Sequence, residues 1–173
     1  LSPAQKDWIQ GRLADDVSPS GPAPRHGLIA IFTNGRVWLL CLIYFLLNVG
    51  GYGYELWLPS IIKSFSATSS FVLGIINAIP YFAAGVVMLL VARHSDKTGE
   101  RRGVVALAAI SSAIGFALSA WFKNPYLAMA ALSLAFIGLK STIAPFWAMT
   151  TAFLGGTAAA AGIAFINSVG NLG

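Results

Sequence analysis

After residue 36 the chain is organised by five apolar runs: about Val37 to Leu58, Phe71 to Ala92, Gly103 to Phe122, Tyr126 to Leu154, and a fifth from near Thr157. Each complete run has about 20 or more residues, enough at about 1.5 Å per residue to cross a hydrocarbon core about 30 Å thick. The joints (60–70, 93–102 and 123–125) are short, which makes successive helices antiparallel. Ahead of the runs, Ser2-Pro3-Ala4-Gln5 reads as a helix start: Ser at the N-cap, Pro at the first helical position, Gln three residues after the cap. That helix is predicted to reach about Asp15. Trp8, Ile9 and Leu13 share one face, which suits a helix in a soluble loop or one lying on a membrane surface. Between Asp16 and Asn34, Pro19, Pro22, Pro24, Gly21 and Gly27 block a helix and predict a linker.

Composition and charge sharpen this picture. The chain is 57% hydrophobic and 10% charged, too little charge to cover a water-facing surface. The net charge of +5 does not indicate a nucleic-acid partner, because the basic residues stand at the ends of apolar runs. Lys6, Arg12, Arg25, Arg36, Arg93, Lys97, Arg101 and Arg102 fall on one side and Lys63 and Lys123 on the other, so the first side is cytoplasmic. The single cysteine, Cys41, lies within an apolar run and excludes an internal disulfide and a Cys-based metal site. The sequence carries no Ser/His/Asp set, HExxH or phosphate-binding glycine loop, and His26 and His94 fall in loops. An enzyme, a cofactor and a bound metal are therefore not expected. Leu1 in place of Met, and an apolar run reaching Gly173, lead us to expect a piece of a longer protein.

Polar groups inside hydrocarbon are costly, and their positions are informative. Lys140 stands near the middle of the fourth run. It either faces an aqueous path, where it binds an anion or takes part in proton coupling, or pairs with an acid elsewhere in the protein, or snorkels. The same run contains Pro145, predicted to free the Ser141 carbonyl and bend the helix, and places Ser133, Lys140, Trp147 and Thr151 on one face. In the first run Tyr44, Asn48, Tyr52 and Glu55 recur at helical spacing, and Gly50, Gly51 and Gly53 loosen the helix or allow close packing. Glu55 is placed near the outer surface, solvated or functional. Asn77 and Tyr81 in the second run, and Asn167, Ser168 and Asn171 in the fifth, add polar groups that either line a path or bridge helices. Interrupted, polar-rich first and fourth helices, at matching positions of two inverted three-helix units, point to a transporter's substrate path.

The joint Ala92-Arg93-His94-Ser95-Asp96-Lys97-Thr98-Gly99-Glu100-Arg101-Arg102 resembles the signature loop of the major facilitator superfamily, Gly-x-x-x-Asp-(Arg/Lys)-x-Gly-(Arg/Lys)-(Arg/Lys). Asp96, Lys97, Gly99, Arg101 and Arg102 fit it; Ala92 replaces the first Gly and Glu100 one basic residue. The segments Tyr52–Phe65, Ser95–Arg102, Ala144–Trp147 and Gly156–Gly173 resemble the anion:cation symporter branch, and Leu1–Arg12 is similar to the helix of its central cytoplasmic loop.

The resemblance implies an all-α integral membrane fold, the C-terminal six-helix bundle of a twelve-helix major facilitator protein, truncated in the eleventh helix. Residues 1–35 would end the central cytoplasmic loop and 36–173 form the incomplete bundle. It implies a secondary active transporter of the cytoplasmic (inner) membrane that moves a small organic anion, a carboxylate, with protons by alternating access. Its partners would be membrane lipid, the anion, the proton and the N-terminal bundle of the same chain. Residues 1–35 and 93–102 would be cytoplasmic. The substrate path would use Tyr44, Asn48, Tyr52, Asn77, Tyr81, Lys140, Trp147 and Asn167; Asp96, Lys97, Gly99, Arg101 and Arg102 would form a gating loop. The alternatives are an exporter of drugs or metabolites from the same superfamily and a non-transporting sensor or assembly subunit.

Overall fold

A computed structural model describes residues 2, 5–11, 32–65, 70–154 and 158–173. The predicted linker, the end of the N-terminal helix, part of the first joint and the start of the fifth run lie outside the described residues. All regular structure among the described residues is helical. Apart from the N-terminal segment 5–11, the elements are α1 (Gly35–Phe65), α2 (Ser70–Thr98), α3 (Arg102–Trp121), α4 (Pro125–Phe153) and α5 (Ala158–Gly170). Four of them contain stretches long and apolar enough to cross a membrane: Gly35–Leu56, Asn77–Thr98, Arg102–Trp121 and Tyr126–Phe153. α5 is shorter, with 13 residues.

The helix ends follow local chemistry. At the N-terminus the capping box forms: the Ser2 amide donates to Gln5 Oε1 at 2.9 Å, and the Gln5 amide to Ser2 Oγ at 3.4 Å. Asn34 caps α1, its Oδ1 accepting from the Arg36 amide at 2.9 Å. Asn124 caps α4 by accepting from the amides of Tyr126 and Leu127, with Pro125 at the first helical position.

Two expectations need correction. α1 is not interrupted at Gly50–Gly53; it is one continuous helix of 31 residues that also passes through Pro59. Of these glycines Gly50 packs closely, beside the Leu139 side chain, whereas Gly51 and Gly53 meet nothing. The polar joint after the second run is also mostly helix. α2 continues through Arg93, His94, Ser95, Asp96 and Lys97 to Thr98, since none of these residues breaks a helix.

α4 is the hub. It packs most extensively on α3, then on α2, and also meets α1 and α5, while α1 pairs with α5. The α3–α4 seam is built from small residues. A Cβ at Gly138 would lie 2.7 Å from the Ala108 carbonyl oxygen, and one at Gly115 would lie 2.5 Å from the Ala135 nitrogen. Such close approach maximises dispersion contact, which drives helix association where lipid cancels the hydrophobic gain. Two apolar clusters complete the core. One gathers Val37, Leu40, Cys41, Val105, Phe146, Leu154 and Ile166; the other gathers Tyr54, Leu58, Ala84 and Phe136.

Gly138→Leu forces the α3–α4 seam apart and should cost about 1–3 kcal/mol, read as a lower thermal unfolding temperature in detergent. Gly85→Ala, where a methyl group meets nothing, should leave that temperature unchanged or raise it through better helix propensity.

Candidate functional site

The two apolar clusters occupy different levels of α1 and α4, and a polar layer lies between them. Along α1, Val37 to Cys41 belong to one cluster and Tyr54 and Leu58 to the other. Tyr44 and Asn48 fall between. Along α4, Phe136 and Phe146 mark the two clusters and Lys140 falls between them. Helical spacing brings these polar residues to facing sides. They border a cleft of about 60 Å³ lined by Tyr44, Asn48 and Lys140 together with Leu139, Ile143 and Phe146.

The dominant contact is an ion pair. Lys140 Nζ donates to Glu55 Oε1 at 2.9 Å, joining α4 to α1. The Lys140 ammonium also stands 5.0 Å from the centroid of the Phe136 ring, within cation–π range. Both partners are only partly enclosed, with side-chain exposures of 32% for Lys140 and 37% for Glu55. Glu55 is therefore not simply a solvated residue at the outer end of the helix, because α1 continues to Phe65 and the carboxylate turns to the hub helix. Lys140 finds within this chain the acid that the ion-pair reading sought elsewhere. Both are charges inside apolar runs, which seek a partner in hydrocarbon, but their pairing is set by the packing of α1 on α4.

The remaining residues of the α1 stripe reach α5. Asn48 Nδ2 donates to the Gly170 carbonyl at 3.0 Å, and the Tyr52 hydroxyl donates to Asn171 Oδ1 at 3.2 Å. Asn171 Nδ2 in turn donates to the Asn167 carbonyl at 2.8 Å and to Asn167 Oδ1 at 3.1 Å. Asn167 thus belongs to a chain of amides leading to Tyr52, at some remove from Lys140. Tyr44 stacks on Phe146 and meets Trp147 edge-on, so Trp147 supports the cleft wall from behind Tyr44. Tyr81 joins Tyr54 and Phe136 in an aromatic cluster under the ion pair. Asn77 stands apart from these contacts; its Oδ1 is buried and has no hydrogen-bond partner among the described residues. Tyr54 and Phe136, which the sequence reading passed over, are the aromatic floor of the pair. No group of three or more potential metal ligands occurs among the described residues.

At the opposite end of α2 lies the second polar constellation. Gly99 takes φ +68°, a left-handed conformation that ends α2 and that a Cβ disfavours. Arg101 stands 3.7 Å from Asp96, and Lys97 lies in the last turn of α2, where a cation complements the helix dipole. Ser95 is buried and donates to the Glu100 carbonyl at 3.1 Å. Glu100 has a role of its own, since its Oε1 accepts from the Gly103 amide at 2.7 Å. An acid there satisfies an unpaired amide at the start of α3 and meets the positive end of its dipole. Gly99, Arg101 and Arg102 border a cleft of about 390 Å³ against Met149 and Phe153 of α4. Arg36 of α1 reaches the other contact of this corner, 5.9 Å from the Phe153 ring centroid.

The helical structure of the described residues, with four membrane-length helices and this turn, agrees with comparison to known proteins. The sequence profile of the Major Facilitator Superfamily matches residues 3–173. The chain belongs to the major facilitator superfamily. It is 42% identical over its whole length to a protein named "Putative tartrate transporter" in Agrobacterium vitis, covering 40% of that protein. It is 36% identical to the "Quinolone resistance transporter" of Acinetobacter baumannii, again over the whole chain and 40% of the relative. Over 141 residues, 81% of this chain and 33% of the relative, it is 43% identical to the "Inner membrane transport protein RhmT" of Escherichia coli K12. The chain thus spans about two fifths of the length of the relatives that it matches end to end. No solved structure matches it. A major facilitator chain is a multi-pass membrane protein of a transport family, not an enzyme.

Lys140→Met strands the Glu55 carboxylate and should lower stability by about 1–3 kcal/mol, less than for a fully buried pair because both partners retain exposure. The double variant Glu55→Gln/Lys140→Met should recover most of that loss. A double-mutant cycle of unfolding in detergent measures the coupling, and strictly additive losses would refute it.

Proposed function

We propose that this chain is part of a secondary active transporter that carries a small organic anion, a carboxylate, across the cytoplasmic membrane together with protons. The observation that carries the reading is the Lys140 ammonium, held by Glu55 at a cleft in the polar layer between α1 and α4. A cation partly open to a cleft at membrane depth is a binding group for an anion. The cleft of about 60 Å³ holds a few waters and forms one wall of a binding cavity, whose other wall belongs to the N-terminal bundle. In this reading residues 36–173 are helices seven to eleven of twelve. Residues 1–35 close the central loop, and 93–102 lie on the cytoplasmic side.

Tyr44, Asn48 and Lys140 contact the substrate, with Trp147 holding Tyr44. Tyr52 and Asn167 tie α1 to α5 behind the path, and Tyr81 and Asn77 line its α2 side. The turn carrying Asp96, Lys97, Gly99, Arg101 and Arg102 gates the cytoplasmic end, since the loose Asp96–Arg101 pair at 3.7 Å can form in one state and open in another. Support for a carboxylate comes from the two Agrobacterium vitis relatives named for tartrate. A second reading, export of drugs or metabolites, draws on the relative named for quinolone resistance.

Uptake of radiolabelled tartrate into vesicles containing the full-length protein tests the proposal. An inward proton gradient should raise uptake, and Lys140→Ala should lower it about tenfold or more, the scale of a lost charge-assisted contact. Raised quinolone resistance in expressing cells, without proton-dependent carboxylate uptake, would favour export.

A further inference from the structure

We propose that Glu55 is the proton-carrying group of this transporter, and that the substrate's carboxylate and Glu55 compete for the single ammonium of Lys140. The inference rests on the carboxylate-symport reading and adds to it the residue that couples the two flows.

Three observations converge on Glu55. Its carboxylate is bound directly to the cation assigned to the substrate, at 2.9 Å. Both partners keep about a third of their side-chain exposure, so an anion and a proton can reach the pair without unfolding the helices. Apart from Asp96 at the loop end of α2, Glu55 is also the only acid in helices α1 to α5. The groups that face it are few. Lys140 comes from α4, Tyr81 of α2 lies within electrostatic reach, and Tyr54 precedes it in α1. α5 brings no titratable residue. The two tyrosines are neutral phenols near neutral pH, so among the described residues Lys140 is the positive charge paired with Glu55.

The exchange follows. When a substrate carboxylate forms its own ion pair with Lys140, the Glu55–Lys140 contact breaks. Glu55 is left as an unpaired, partly enclosed anion in a membrane-length helix. Protonation removes that charge: one O–H bond forms on Glu55 with a proton from the side of the membrane to which the cavity is open. The loaded site then holds one proton more and one pair partner exchanged. After the bundle rocks, substrate leaves Lys140, Glu55 releases its proton to the other side, and the original pair re-forms. Proton and anion binding strengthen one another by the same factor, as linkage requires. One proton crosses with each anion, so a monocarboxylate moves without net charge and a dicarboxylate carries one negative charge.

The test uses the full-length protein in liposomes, with gluconate and tartrate as probes. Wild-type protein should accumulate gluconate about tenfold per unit of inward pH gradient. Its half-saturation in exchange should tighten as pH falls. Glu55→Gln should lose the accumulation, and with Lys140 freed from its competitor it should bind probe about fivefold or more tightly, with no dependence on pH. Lys140→Ala should bind weakly at every pH. A second measurement needs no variant: calorimetric titration of wild-type protein in buffers of different ionisation enthalpy should show one proton taken up per anion bound. Glu55→Gln that accumulates like wild type, or that weakens binding as Lys140→Ala does, overturns the inference and leaves the symport reading standing; so does anion binding without proton uptake where accumulation is proton-driven. If neither probe enters wild-type liposomes, or if entry ignores the proton gradient, the symport reading itself fails.

Discussion

Hydrocarbon offers no hydrogen-bond partner, and nearly every feature of this chain answers that constraint. Backbone amides and carbonyls are satisfied inside continuous helices. Several Ser and Thr hydroxyls within the spans fold back onto their own helix. Ser111 donates to Ala108, Ser133 to Met129, Thr142 to Leu139 and Thr150 to Phe146, each to the carbonyl at 2.7 or 2.8 Å. The Asn48 amide and the Lys140 ammonium reach across helices, to Gly170 and Glu55. The interhelical polar contacts among the described residues therefore mark where α1 must meet α4 and α5.

That division explains why the polar layer sits where it does. Apolar side chains fill α1 and α4 at two levels. Lys140 of the layer between them pairs with Glu55, at the level of the second cluster, and amide and hydroxyl contacts tie α1 to α5. Dispersion contacts are insensitive to small charges nearby, whereas an ion pair responds to any competing anion or proton. The layer is thus the one part of the bundle whose energetics a small charged solute can change, and α1 and α4 are the helices it would move.

The turn after α2 is built on different physics. It lies where water and headgroups compete for charges, so its stability comes from backbone geometry: Gly99 in the left-handed region, Ser95 buried against the Glu100 carbonyl, and Glu100 capping α3. The Asp96–Arg101 contact is longer and exposed, at 3.7 Å, and contributes little by itself. A rigid frame with loosely paired charges can exchange charge partners without losing its shape.

How much was legible depends on the range of the interaction. Hydrophobic run length foretold helices that cross a membrane, and the order of residues in 92–102 pointed to the family, because both are local properties of the chain. The capping box at Ser2 and Gln5 was readable for the same reason. Sequence pattern failed where local propensity competed with context. Gly50 to Gly53 weaken an isolated helix, yet hydrocarbon penalises an open backbone more, and α1 stays continuous. The helix of α2 outruns its apolar stretch because Arg93 to Thr98 are good enough helix formers. What only the tertiary structure decided is partnership. Lys140 and Glu55 are 85 residues apart, and Asn48 and Gly170 are 122 apart. Nothing local tells Glu55 to face α4 while Tyr52 faces α5. Those choices follow from how α1 packs between its neighbours, with Gly50 close to Leu139 of α4 and Tyr44 close to Gly170 of α5.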